Sequence, residues 1–192
     1  MSSNEKNDCE KGVVVRIEFD KVGFYGDVTR STMTELIKTL YSVAKDFPIS
    51  CERSSEPEKP KLYLIISTYG GSLHDAFAAY DHIQKIKKTV NIVTVAEGFV
   101  ASAGTLLMLA GSERLIMRNC GMLFHQLSTE LNGKFNEIKD EYKNCSWLMF
   151  KMYRLYSKKS NLNIKQVKKL LSREKTLSAK KCIKMGFVSD YY

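Results

Sequence analysis

Apolar residues along this chain keep two rhythms that take turns. The runs at 61–67 (Lys-Leu-Tyr-Leu-Ile-Ile-Ser) and 90–96 (Val-Asn-Ile-Val-Thr-Val-Ala) are nearly continuous and rich in β-branched side chains, the pattern of strands covered on both faces. Each run ends in a glycine-bearing turn and gives way to helical spacing. After the first, Leu73, Ala76, Phe77, Tyr80 and Ile83 predict a helix over 72–88, with Ser72 as its cap and Asp75 three residues on. After the second, residues 105–110 predict a short buried helix stopped by Gly111. Upstream, strands are predicted near 13–19 and 22–26. Met33, Leu36, Ile37, Leu40 and Val43 mark the inner stripe of a helix over 32–44, with Thr32 and Glu35 as a capping box. Residues 48–60 read as a polar loop, and no fixed-period repeat occurs. Strand and helix in alternation is α/β order.

One longer segment keeps a different beat. Phe135, Ile138, Tyr142, Cys145, Met149, Met152 and Tyr156 recur at strictly alternating spacings of three and four, which is a helix seam. Trp147, Leu148, Phe150 and Leu155 lie partly off that stripe, so more apolar surface is offered than one small domain covers. A partner helix is implied.

Composition narrows the class. With 192 residues, 44% of them hydrophobic, the chain can bury one substantial core without disulfides or metals. Residues 1–12 are polar and charged rather than signal-like, and no run is long and apolar enough to span a bilayer. Cys9, Cys51, Cys120, Cys145 and Cys182 form an odd set without metal-ligand spacing, as expected of reduced thiols inside a cell, with Cys145 and Cys182 on apolar helix faces. The formal charge of +9 comes from lysines scattered in short pairs such as Lys158/Lys159 and Lys168/Lys169. Without a zinc-finger spacing or an aromatic RNA-binding motif, this reads as a positive surface for an acidic partner rather than a nucleic-acid site.

Two glycine turns hold the candidate chemistry. In Gly98-Phe99-Val100-Ala101-Ser102-Ala103-Gly104, Ser102 stands where a strand enters a helix, so small neighbours admit a substrate and first-turn N–H groups can face an oxyanion. The same turn also serves as an ordinary helix cap. In Thr68-Tyr69-Gly70-Gly71-Ser72, bare backbone at a strand end can bind an anion or pair with an extended peptide, and it can equally be only a tight turn. Neither turn has the spacing of a phosphate-binding loop. The chain has three histidines. His74 and His82 fall on the polar side of the 72–88 helix, whereas His125 ends the strand-like run Met122-Leu123-Phe124 and is the candidate base.

In this order, the glycine pair, the Gly-x-x-Ala-Ser-x-Gly turn and the strand-borne His125 followed by Gln126 resemble the ClpP family of serine peptidases. Gly23–Val28 looks like that family's first core strand, residues 55–59 like its polar loop, and residues 173–179 and 184–190 like its closing segment, so the resemblance covers roughly residues 13–190. It implies an α/β ClpP/crotonase-like superhelix of ββα units with a protruding handle helix at about 133–160, as one peptidase domain over 13–192 behind a flexible tail at 1–12. By position, Ser102 is the nucleophile, His125 the base, and Glu174 stands where the family has aspartate. Gly71 and Ala103 match its oxyanion donors, and Gly70, Gly71 and Leu127 its substrate-flanking segments. Tyr69 replaces the family's usual proline. The implied activity is endopeptidase cleavage of unfolded polypeptides and short peptides in an intracellular, cytoplasmic homo-oligomer of two stacked heptameric rings, a tetradecamer, with no cofactor. ATP hydrolysis would come from an AAA+ unfoldase such as ClpX or ClpA, since the chain lacks a Walker loop. The alternatives are a non-catalytic structural or regulatory ring subunit and a crotonase-like acyl-CoA enzyme.

Overall fold

The computed structural model describes residues 13–47 and 59–192. The expected tail at 1–12, most of the expected polar loop, Cys9 and Cys51 lie outside the described residues. In chain order the elements are β1 (Val13–Glu18), β2 (Lys21–Tyr25), α1 (Arg30–Asp46), β3 (Lys61–Thr68), α2 (Leu73–Ile86), β4 (Asn91–Ala101) and α3 (Gly104–Ala110). There follow β5 (Glu113–Ile116), β6 (Gly121–Leu123), α4 (Phe135–Lys158), α5 (Ile164–Leu171), β7 (Thr176–Ser178), α6 (Ala179–Lys184) and β8 (Asp190–Tyr191).

The main sheet runs β1-β2-β3-β4-β5-β8 and is parallel except for the β1/β2 hairpin. Parallel neighbours need a crossover, and α1, α2 and α3 supply the successive ones. The inward residues of β3, Leu62, Leu64 and Ile66, are fully buried in one core with Leu36, Leu40, Ile83 and Leu107. Side chains of opposite parity, Ile65, Val93 and Val95, form a smaller cluster with Tyr63, Leu115 and Met117. Burial on both faces is why these strands read as unbroken apolar runs. The α/β architecture is the expected one.

Helix starts show how local chemistry sets the frame. Helix α1 begins earlier than expected, capped by Thr29, whose hydroxyl accepts from Thr32 N–H at 3.2 Å while Thr32 Oγ1 accepts from Thr29 N–H at 3.0 Å. The expected Thr32/Glu35 box is therefore displaced by one turn, because Val28 bridges to Gly71 and the chain must turn at the next residue. Helix α2 has the expected cap: Ser72 Oγ accepts from Asp75 N–H at 3.3 Å. Asp75 also receives Arg30 Nε at 2.7 Å, tying the two helix starts together. The hydrogen bond from Ser72 and the Arg30 guanidinium hold the Asp75 carboxyl below its ordinary range.

Helix α4 spans 24 residues, roughly 36 Å at 1.5 Å per residue. The seam read in the sequence divides along it. Met152 and Tyr156 are buried, Tyr156 edge-on to Phe124, whereas Phe135 is 79% and Tyr142 67% exposed. Trp147 and Phe150, off the seam, are also exposed. The helix is thus rooted at its C-terminal end and stands away from its own core at the other. Among the described residues no helix is long and apolar enough to cross a membrane.

Candidate active site

Strand β4 is longer than its apolar run because it serves two partners. Val93–Ala96 pair with β5, then Gly98 takes a positive φ of 58°, and Phe99–Ala101 pair instead with β6. Strand β6 in turn pairs antiparallel with β7, making a small ledge beside the main sheet. Its register gathers the predicted residues. Ala101 lies beside Leu123 in a parallel pair, so Ser102 leaves β4 alongside the chain that continues to His125. Leu123 faces Thr176 in the antiparallel pair, and carrying that register two residues further sets His125 opposite Glu174.

Ser102 is the one described non-glycine residue with positive φ, at 53°. Such a conformation is strained for a residue with a Cβ and turns the side chain out at the strand-to-helix elbow. Its N–H is spent on Leu123 C=O at 3.0 Å, while among the described residues its hydroxyl has no hydrogen-bond partner. The glycine turn presses against this elbow: a Cβ on Gly70, whose φ is 106°, would come within 2.5 Å of Ser102 Cβ. Gly71 bridges Val28 through its neighbours, with Val28 N–H donating to Gly70 C=O at 2.7 Å and Ser72 N–H to Val28 C=O at 2.8 Å. The Gly71 N–H therefore points away from Val28. Neither it nor the Ala103 N–H has a partner among the described residues.

A cavity of about 200 Å³ brings Gly71, Ser102, Ala103, His125, Leu127 and Met152 to one space. His125 is 21% exposed at its side chain and its Nδ1 lies 3.8 Å from Glu174 Oε1. Glu174, 79% exposed, is too far for a hydrogen bond and is bathed in solvent. A second cavity of about 480 Å³ continues past Gly70 and Gly71 between Tyr69 and Arg30. Tyr69 cannot fix φ as proline does, but its ring packs against Phe99 at 5.4 Å, and Thr68 Oγ1 accepts from Gly70 N–H at 3.0 Å.

Other side chains separate cleanly from this site. His74 is exposed, but His82 is half-buried with Nδ1 3.2 Å from Tyr41 Oη, which corrects the solvated position expected for it. Burial pushes the Cys120 and Cys182 thiols up to about 12, and Cys145 is half-buried on α4. Such thiols are poor nucleophiles at neutral pH. Residues that sequence reasoning missed come from α4: Met152 in the cavity wall, and Met149, whose Sδ accepts from Leu127 N–H at 3.2 Å. Their signal was the seam itself, whose C-terminal members had to face something.

The Clp protease family model matches residues 48–191 of the chain. The chain is also 31% identical over 139 residues to the ATP-dependent Clp protease proteolytic subunit 1 of Streptomyces coelicolor. That alignment takes in 71% of this chain and spans 62% of the relative's length.

Proposed function

The chain belongs to the Clp protease family, and from that premise we propose that it is a serine endopeptidase cleaving unfolded polypeptides and short peptides. The observation that carries the reading is the cavity shared by Ser102 and His125, flanked by the N–H groups of Gly71 and Ala103, which have no partner among the described residues. In this mechanism His125 takes the Ser102 proton as the oxygen attacks a peptide carbonyl, and the two amides receive the oxyanion. His125 then protonates the leaving amine, and water, activated by the same imidazole, releases the acyl group. Glu174 steadies the imidazolium from the solvent side. The substrate lies as an added strand between the Gly70–Gly71 turn and the chain around Leu127, which favours main-chain recognition over sequence.

The exposed half of α4 supports assembly through that helix into stacked rings enclosing the sites. Residues 13–192 form one peptidase domain in this reading, and an AAA+ unfoldase delivers folded substrates. A second reading, a ring subunit without turnover, draws on the Ser102 hydroxyl, which has no partner among the described residues, and on the solvent-exposed Glu174. A fluorophosphonate probe separates the two. Stoichiometric labelling at Ser102, lost in Ser102→Ala and strongly slowed in His125→Ala, is expected; an unlabelled assembled protein refutes the peptidase.

A further inference from the structure

The first turn of α3 has no cap from its own N-cap residue, Ala103. The turn is instead tied back to the elbow by a residue inside the helix. Thr105 Oγ1 donates to Ser102 C=O at 2.7 Å, and Thr105 N–H reaches the same oxygen at 3.0 Å. The Thr105 hydroxyl meets Tyr156 Oη at 2.7 Å. Since the Thr105 proton is already committed to the carbonyl, the phenol must be the donor in that second bond. The order is fixed: Tyr156 O–H to Thr105 Oγ1, Thr105 O–H to Ser102 C=O.

Ser102 C=O and Ala103 N–H belong to one peptide unit, and that unit is planar. Whatever holds the carbonyl also aims the N–H at its opposite side. We propose that Thr105 and Tyr156 are positioning residues for the oxyanion donor: their hydroxyl relay locks the 102–103 peptide plane so that Ala103 N–H points into the cavity beside Ser102. The inference rests on the reading of Ser102 as nucleophile.

The surroundings suit the role. Thr105 is fully buried and Tyr156 is 1% exposed, so no water competes for either bond. The Tyr156 ring is held edge-on by Phe124 at 5.6 Å and by Phe187 at 6.4 Å. Burial pushes its phenol up to about 12, so it keeps its proton at neutral pH. Two hydrogen bonds in series polarise one another, and a plane fixed beforehand needs no reorganisation when charge develops. The strain at Ser102 supplies the reason for a lock, because a positive φ at a residue with a Cβ relaxes unless its neighbours hold it. Tyr156 sits on α4, which makes the relay a link from the rooted end of that helix to the elbow.

The test compares Thr105→Val, Tyr156→Phe and Thr105→Ser with the wild type. The readouts are kcat and KM on a fluorogenic peptide, the fluorophosphonate labelling rate at Ser102, and the thermal midpoint. Loss of a whole oxyanion donor costs about 100- to 1,000-fold, so loosening one is expected to cost about 10-fold or more in kcat and in labelling rate for Thr105→Val, and about 3- to 10-fold for Tyr156→Phe. KM stays within about 2-fold, because the donor acts chiefly in the transition state, and Thr105→Ser, which keeps the hydroxyl, keeps the rate within about 3-fold. If Thr105→Val does not fold, Tyr156→Phe, which removes one oxygen only, decides alone. Folded variants that label and turn over at the wild-type rate overturn the inference, as does a Thr105→Ser variant as impaired as Thr105→Val. A wild type that does not label at all overturns the nucleophile reading and this inference together.

Discussion

Replacing Gly70 by alanine adds one carbon directly against the candidate nucleophile. The new Cβ would lie 2.5 Å from Ser102 Cβ, 2.9 Å from Ala101 O and 3.1 Å from Ala103 N, on a backbone at φ 106°. Holding alanine at such a φ costs about 1–3 kcal/mol. Overpacking against a rigid elbow adds about 1–3 kcal/mol, and the stiffer unfolded chain returns up to about 1 kcal/mol. A net loss of about 1–6 kcal/mol lowers the melting midpoint of a chain this size by roughly 2–24 °C. The local effect is larger than the global one, since moving a reacting atom by about 1 Å costs on the order of 100-fold in rate. The assay pairs circular-dichroism melting with fluorophosphonate labelling at a temperature where the variant remains folded. Gly98→Ala is the control. Gly98 also has a positive φ, but an added Cβ there meets only Ser67 Oγ at 3.3 Å, so it should lose about 1–2 kcal/mol of stability and keep its labelling rate. Wild-type labelling in Gly70→Ala, or equal loss in both variants, refutes the claim that the glycine turn sets the position of Ser102.

Glu174→Gln removes a charge 3.8 Å from the imidazole at a site open to water, so kcat should fall about 10- to 100-fold, short of the roughly 10,000-fold seen when a buried triad carboxylate is neutralised. No change in kcat would make Glu174 a bystander. Burial, aided by Lys159 and Arg114, pushes the Lys87 ammonium down to about 8 from its ordinary 10.5. The folded chain therefore sheds this proton before the unfolded chain does, and Lys87 makes stability rise with pH between about 8 and 10.5. Urea midpoints for the wild type minus those for Lys87→Met should climb across that window, and a flat difference would place the ammonium in ordinary solvent.

The elements legible in the sequence are those whose burial and pattern agree. Strand β3, helix α2 and the Ser72 cap follow from an apolar run, a 3.6-residue stripe and one hydroxyl. The far half of β4 was hidden because Glu97 and Gly98 interrupt its apolar run where the strand changes partners. Strand β6 showed as the strand-like run Met122-Leu123-Phe124, one residue late, whereas β7, three residues long, is too short for periodicity to register and exists through the ladder beside it. Helix α5 carries a local signal, Asn163 and Gln166 capping each other at 2.9 Å ahead of Val167 and Leu171, but with eight residues and two buried positions its stripe is too short to stand out from the lysines around it. His82 looked solvated because helical spacing does not show that Tyr41 of α1 reaches across to it. Ser102, His125 and Glu174 could be named singly. Their meeting depends on register, which no single segment contains.

The candidate nucleophile and the other two members stand on foundations of unequal strength. Ser102 caps the central strand of an extensive sheet, whereas His125 and Glu174 hang from a ledge with three paired residues on each side. Three paired residues make a short ladder, so the buried Met122, Phe124 and Leu177 carry its hold on the core, and a cavity cut at any of them should shift the base while the main sheet stays intact. Such a variant would go silent without denaturing: its melting curve would stay cooperative with the base out of reach, and a neighbour bracing the ledge would restore it with no refolding.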